Sequence, residues 1–131
     1  GKNNAYEIFN KKKKIKLNCS KIKNRDKIAL TNSSKPSEII KRILRKYKIN
    51  HFVSMRSSLK FCMIASSEFD FYAAKARARE WDYAAGHAIA EGAGAIIRTF
   101  QNKKILYGKK GFKNPSLLIR RNSKIKWQKL F

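Results

Sequence analysis

From residue 27 onward, stretches with strand character alternate with stretches of helical period, and that alternation limits this chain to few folds. Residues 27–31 (KIALT) read as a buried strand, which Asn32, Ser33, Ser34 and Pro36 then break. From Ser37 to Tyr47, the apolar residues Ile39, Ile40, Ile43, Leu44 and Tyr47 fall on one helical face, with Lys41, Arg42, Arg45 and Lys46 on the other. Residues 51–55 (HFVSM) form a short strand, and Ser57 or Ser58 caps a second helix running to Ala65. Residues 69–72 (FDFY) give another strand, a third helix runs to Ala93 and stops at Gly94, and strands follow near 95–100 and 117–120. Ahead of this series, residues 5–9 (AYEIF) and 13–17 (KKIKL) read as a hairpin. The expected fold is α/β: a layered domain with a mixed, partly parallel sheet and helices packed on it.

In such sheets ligands bind beyond the strand C-termini, near helix N-termini. Asn32 to Lys35, Arg56 to Ser58 and Glu80 to Asp82 all fall at such loops. Asp82 stands in the first turn of a helix built from small residues, among them Ala84, Ala85, Gly86, Ala88 and Ala90. A carboxylate there suits either helix capping, its common use, or a divalent cation held beside a phosphate.

Composition bounds the partners. The 131 residues fit one domain, and a hydrophobic fraction of 43% allows a core. Lys and Arg number 32 against 8 Asp and Glu, a net charge of +24. Anionic partners follow, nonspecific nucleic-acid binding among them; a Lys-rich solvated surface without a partner is the competing reading. Lys11 to Lys14 form a basic run of the kind that also blocks strand-edge pairing. Cys19 and Cys62 have no metal-ligand spacing, and Cys62, in an apolar run, is expected to be a buried thiol in a reducing cytoplasm. No apolar run approaches the ~18 residues that a membrane span needs. His51 and His87 have no nucleophile partner nearby in sequence, and no Walker loop, zinc spacing or G-x-S-x-G elbow is present.

Three segments carry a resemblance. Residues 80–95 (EWDYAAGHAIAEGAGA) resemble the C-terminal metal motif of the inositol monophosphatase superfamily, W-D-x-A-A-G followed by an Ala/Gly-rich helix. Residues 57–65 (SSLKFCMIA) resemble the G-S-S-L-K-F-C-L-x-A segment of bacterial 3'(2'),5'-bisphosphate nucleotidases, and residues 112–117 (FKNPSL) resemble that family's F-L-N-P strand entry. The likeness runs from Gly1 to about Ile119 and covers only the second, C-terminal half of the family's fold. It implies a domain over residues 1–120, while residues 121–131 (RNSKIKWQKLF) read as a basic tail with Trp127 and Phe131 docked.

The resemblance implies a hydrolase of sulfur assimilation that removes the 3'-phosphate of 3'-phosphoadenosine 5'-phosphate with Mg²⁺. Asp82 matches a metal ligand lying close to the substrate phosphate. Ser57 and Lys60 match substrate-binding positions, Lys60 as a flexible point charge. Several positions depart from the family. Arg56 replaces a Gly at a tight turn, Lys35 a His, Ala74 an Arg, and Thr99 an acid, while Lys75, Arg77 and Arg79 add cations nearby.

The family's other metal motifs, a Glu-rich helix and D-P-x-D-G-T, do not occur in these residues. The remaining acids, Glu7, Asp26, Glu38, Glu68, Asp70, Glu80 and Glu91, are scattered. One aspartate cannot build the oxygen-rich coordination Mg²⁺ requires, so no catalytic set is complete and the isolated chain is expected to be inactive. Three readings stand: a phosphatase half that needs an N-terminal domain, a basic anion- or nucleic-acid-binding module, and a decayed remnant. A lone half should also expose an apolar face and associate, with that domain or with itself.

Overall fold

The structure is a computed structural model, and the residues it describes are 5–9, 13–21, 23–76 and 79–130. A hairpin pairs β1 (Tyr6–Phe9) antiparallel with β2 (Lys13–Lys16). The five-stranded sheet is built from β3 (Ile28–Thr31), β4 (His51–Ser54), β5 (Phe71–Ala74), β6 (Ile96–Thr99) and β7 (Leu117–Arg120), in the order β4-β3-β5-β7-β6. β3 runs parallel to β4 and β5, whereas β7 runs antiparallel to β5 and β6. The sheet is therefore mixed and partly parallel.

Side chains alternate across the sheet because successive strand residues point to opposite faces. Leu30, Tyr72, Ala74, Leu117 and Ile119 face one layer, where α2 (Leu59–Ala65) and α3 (Glu80–Ala93) cover them. Ala29, Phe71, Ala73 and Leu118 face the other layer, covered by Ile40, Ile43 and Leu44 of α1 (Glu38–Lys46) and by Tyr47 at its C-cap. With a helical layer on each side, every residue of β5 and β7 is buried. Glu38 in the first turn of α1 and Arg45 and Lys46 in its last match the helix dipole. Gly94 ends α3 at φ 108°, a left-handed conformation that glycine adopts without strain.

The strand expected at 69–72 lies two residues later, at Phe71–Ala74. Ala73 and Ala74 have low strand propensity, but both pair with β7 between the two helical layers, and burial overrides propensity. Both serines named for the cap of α2 stand at its start. Ser58 is the N-cap without a side-chain bond, and it is the Ser57 hydroxyl that accepts from the Leu59 amide at 3.1 Å. Segment 121–130 packs onto the α1 layer: Arg121 and Asn122 are buried, Ile125 and Trp127 rest against the core, and Leu130 is 2% exposed. Phe131, Lys11, Lys12 and Arg77 lie outside the described residues.

The cysteine expectation is reversed. Cys62 is only half-buried, whereas Cys19 is fully enclosed and its thiol donates to the Ala93 carbonyl at 3.3 Å. Cys62 stands on the less covered side of α2, and Cys19 sits under the C-terminal end of α3. Burial pushes the Cys19 thiol up to about 11, so it stays protonated at neutral pH. An aromatic disulfide reagent is expected to label Cys62 in the folded chain at least about tenfold faster than Cys19, because attack requires an accessible thiolate. Peptide mapping after timed labelling checks this; equal rates would contradict the enclosed position of Cys19.

No described helix is long and apolar enough to cross a membrane. Several large apolar side chains are exposed, including Ile8 on the hairpin, Val53 on edge strand β4, Leu59 at the start of α2, and Trp81 at the start of α3.

Candidate active site

Three chain segments converge beyond the C-terminal ends of the parallel strands. Asn32 and Ser33 follow β3, Arg56 to Ser58 follow β4, and Trp81 to Tyr83 open α3. Together with Lys60 they line an open cleft of about 740 Å³. A space of this size suits a nucleotide-sized ligand.

Each wall is held by specific bonds. The buried Tyr72 hydroxyl donates to Asn32 Oδ1 at 3.0 Å, and the Thr31 hydroxyl donates to the Ser33 carbonyl at 2.7 Å. The Ser33 hydroxyl in turn accepts from the Lys35 amide at 3.0 Å. These bonds fix the loop after β3 before any ligand arrives. Asp82 is the third residue of α3, and its Oδ2 accepts from the Arg79 amide at 2.9 Å, which closes the helix start. The carboxylate thus caps the helix and lines the cleft at once.

Lys60 is neither a solvated lysine nor a loose charge. It is 5% exposed, and its ammonium donates to the carbonyls of Met55 at 2.9 Å and Ser57 at 2.8 Å. The amine also lies 5.2 Å from the centre of the Tyr72 ring. It stabilises the Met55–Ser57 turn while adding positive potential to the cleft floor. Flexibility at that position was the sequence expectation; burial between α2 and the sheet removes it.

Arg56 occupies its turn without a left-handed backbone, since the described non-glycine residues with positive φ are Lys48, Ser67, Asn102 and Phe112. A side chain is therefore sterically compatible with this turn. Two other departures meet in a neighbouring hollow of about 190 Å³ that shares Asn32 and Ser33 with the cleft. Lys35, Ala74 and Lys75 all line it, so a lysine stands beside the position where the Arg is missing.

Glu80 belongs elsewhere. Its buried carboxylate accepts from the Gly108 and Lys109 amides at 2.8 and 3.1 Å and from the Lys109 ammonium at 2.5 Å. The Lys109 bond leads in holding it below the usual carboxylate range. It anchors the loop after β6 rather than joining Asp82. His87 also points away from the cleft: its Nε2 lies 2.9 Å from the Glu91 carboxylate, and burial lowers its pKa against the opposing pull of Glu91. His51 is exposed on β4. The feature missed at the sequence level is Tyr83, 8% exposed on the cleft wall, whose hydroxyl is buried without a hydrogen-bond partner among the described residues. Its place inside the W-D-x-A-A-G motif was the available signal.

Among the described residues, no three His, Cys, Asp or Glu side chains cluster as a metal site would need. Asp82 is the cleft's one carboxylate, so these residues alone do not fit a bound divalent metal.

The model of the inositol monophosphatase family matches residues 4–127. The chain belongs to the inositol monophosphatase family. Within it, the chain is 35% identical over 101 residues to the 3'(2'),5'-bisphosphate nucleotidase CysQ of Buchnera aphidicola subsp. Acyrthosiphon pisum, covering 77% of this chain and 37% of that protein. It is 32% identical over 93 residues to CysQ of Escherichia coli K12, covering 70% and 37%. The crystal structure of CysQ from Bacteroides thetaiotaomicron superposes with a TM-score of 0.65 at 29% identity, covering 82% of this chain and 41% of that one. Inositol monophosphatase II of Staphylococcus aureus shares the fold, with a TM-score of 0.63 at 20% identity over 84% of this chain and 42% of that one. The chain thus spans little more than a third of the length of these two curated relatives.

Proposed function

We propose that this chain is the substrate-side half of a bisphosphate nucleotidase, which hydrolyses the 3'-phosphate of 3'-phosphoadenosine 5'-phosphate to AMP and phosphate with Mg²⁺. The convergence of Asp82, Arg56, Ser57 and Lys60 on one cleft supports this reading most strongly. Arg56 and Lys60 supply positive potential for a phosphate-bearing ligand. In this reading Asp82 is one metal ligand, and the remaining ligands come from a second unit, in the same polypeptide or another. Bound Mg²⁺ would supply an activated water and charge neutralisation at the leaving oxygen. This chain's own residues hold the nucleotide, and its cap bond keeps the Asp82 carboxylate oriented toward the cleft. Leu59 and Trp81, exposed at the cleft margin, give that second unit an apolar surface to cover.

A chimaera tests the reading. On this reading the part of the Buchnera nucleotidase that the chain does not match is its N-terminal part, which would be fused ahead of residue 1. The chimaera is expected to release phosphate from the bisphosphate in a Mg²⁺-dependent manner, while the 131-residue chain alone releases none. Asp82→Asn in the chimaera is expected to lower kcat roughly 10³-fold, since losing a metal ligand removes several kcal/mol of transition-state stabilisation. A chimaera folded by circular dichroism yet inactive, or an Asp82→Asn form with full activity, would sink the proposal.

A further inference from the structure

A second cleft, of about 480 Å³, lies at the other end of the sheet. The nucleotide cleft sits beyond the C-terminal ends of β3 and β4. This one sits beyond the N-terminal ends of β3 and β5, where antiparallel β7 leaves the sheet. The two share no lining residue among the described residues.

Its walls come from three separate stretches of chain: Lys23 and Lys27 before β3, Lys46 and Lys48 at the end of α1, and Lys124 and Lys126 in the C-terminal segment. One acid lines it, Asp70, and that charge is already matched. The Asp70 carboxylate accepts from Arg25 at 2.5 Å, from Arg121 at 2.7 Å and from the Ile28 amide at 2.8 Å. Two guanidiniums face one carboxylate, so even this buried node is net positive. Carbonyls at the end of α1 would repel an anion, but three of them accept from the amides of Tyr47, Lys48 and Ile49 at 3.1, 3.0 and 2.9 Å. No carboxylate forms an ion pair with the six lysines among the described residues.

Lysines around an open groove, all but Lys27 exposed, suit repeated phosphates better than one small ligand, which would need convergent, rigid donors. We propose that this groove binds the phosphodiester backbone of a single-stranded nucleic acid, without base readout and independently of the nucleotide cleft.

Two fourfold variants of the full chain decide the matter, because both remove the same charge from a chain of net charge +24. In the first, Lys23, Lys48, Lys124 and Lys126 are changed to Gln; Lys46 is kept because its amine donates to the Lys129 carbonyl at 2.6 Å. In the second, exposed Lys16, Lys103, Lys110 and Lys113, away from the groove, are changed to Gln. Binding of a labelled strand of about ten nucleotides, a length within the usual single-strand site size, is followed by fluorescence anisotropy across a salt series. The groove variant is expected to bind at least about tenfold more weakly and to lose about 3 from the log–log salt slope, at roughly 0.7 per contacted phosphate. The control set is expected to lose less than about threefold. 3'-Phosphoadenosine 5'-phosphate is expected not to displace the strand. Equal losses in the two variants, no binding by the unaltered chain, displacement by the bisphosphate, or equal competition by a polyglutamate peptide would each overturn the proposal.

Discussion

Replacing Asp70 with asparagine is expected to lower the unfolding free energy by about 3–5 kcal/mol, the usual cost of breaking a buried ion pair. Asp70 is 1% exposed and joins the chain at three places. Its carboxylate holds Arg25 ahead of β3 and Arg121 after β7, while its own amide donates to the Ile28 carbonyl at 2.9 Å. Arg121 is itself buried, and its guanidinium also reaches the carbonyls of Cys19 and Lys21. Without the carboxylate, a desolvated cation is left with neutral acceptors alone. Urea denaturation should show the midpoint falling by more than about 1 M, given the typical slope for a small domain. The double variant Asp70→Asn, Arg121→Met is expected to recover much of the loss, since removing both charges removes the desolvation penalty as well. A single-variant loss below about 1 kcal/mol would show that the carbonyl bonds alone satisfy Arg121.

Gly86→Ala is expected to destabilise the chain by about 1–3 kcal/mol, although alanine is the better helix former. A Cβ at Gly86 would lie 2.6 Å from two ring carbons of Phe61 and 2.9 Å from its Cβ. Phe61 is fully buried and packs against Tyr83, with ring centroids 5.4 Å apart, so its base has no direction in which to yield. The propensity gain of roughly 1 kcal/mol does not offset forcing α2 and α3 apart. Thermal unfolding of Gly86→Ala measures the net sign. Shortening the opposing side chain in Gly86→Ala, Phe61→Leu should restore part of the loss. A stabilised Gly86→Ala would mean that the two helices separate without cost.

Close approach of α3 to a neighbour was legible in its run of small residues, but the neighbour was not. Local patterns name an element's type because propensity and periodicity act over a few residues. Ile39, Ile40, Ile43, Leu44 and Tyr47 were enough to place α1, and Gly94 enough to stop α3. The shift of β5 shows the limit of that reasoning, since Ala73 and Ala74 become strand only through pairing with β7.

By itself, the sequence determined the element order, the family and the position of Asp82 at a helix start, all carried by residues close together along the chain. Only the tertiary structure decided which side chains are enclosed and which distant segments meet. It buries Lys60 against Met55 and Ser57, encloses Cys19 rather than Cys62, and turns Asp70 into a junction between residues 25 and 121. It also gathers lysines from three stretches of chain around one groove. Burial and electrostatic potential depend on everything nearby in space, and a one-dimensional pattern does not contain those distances.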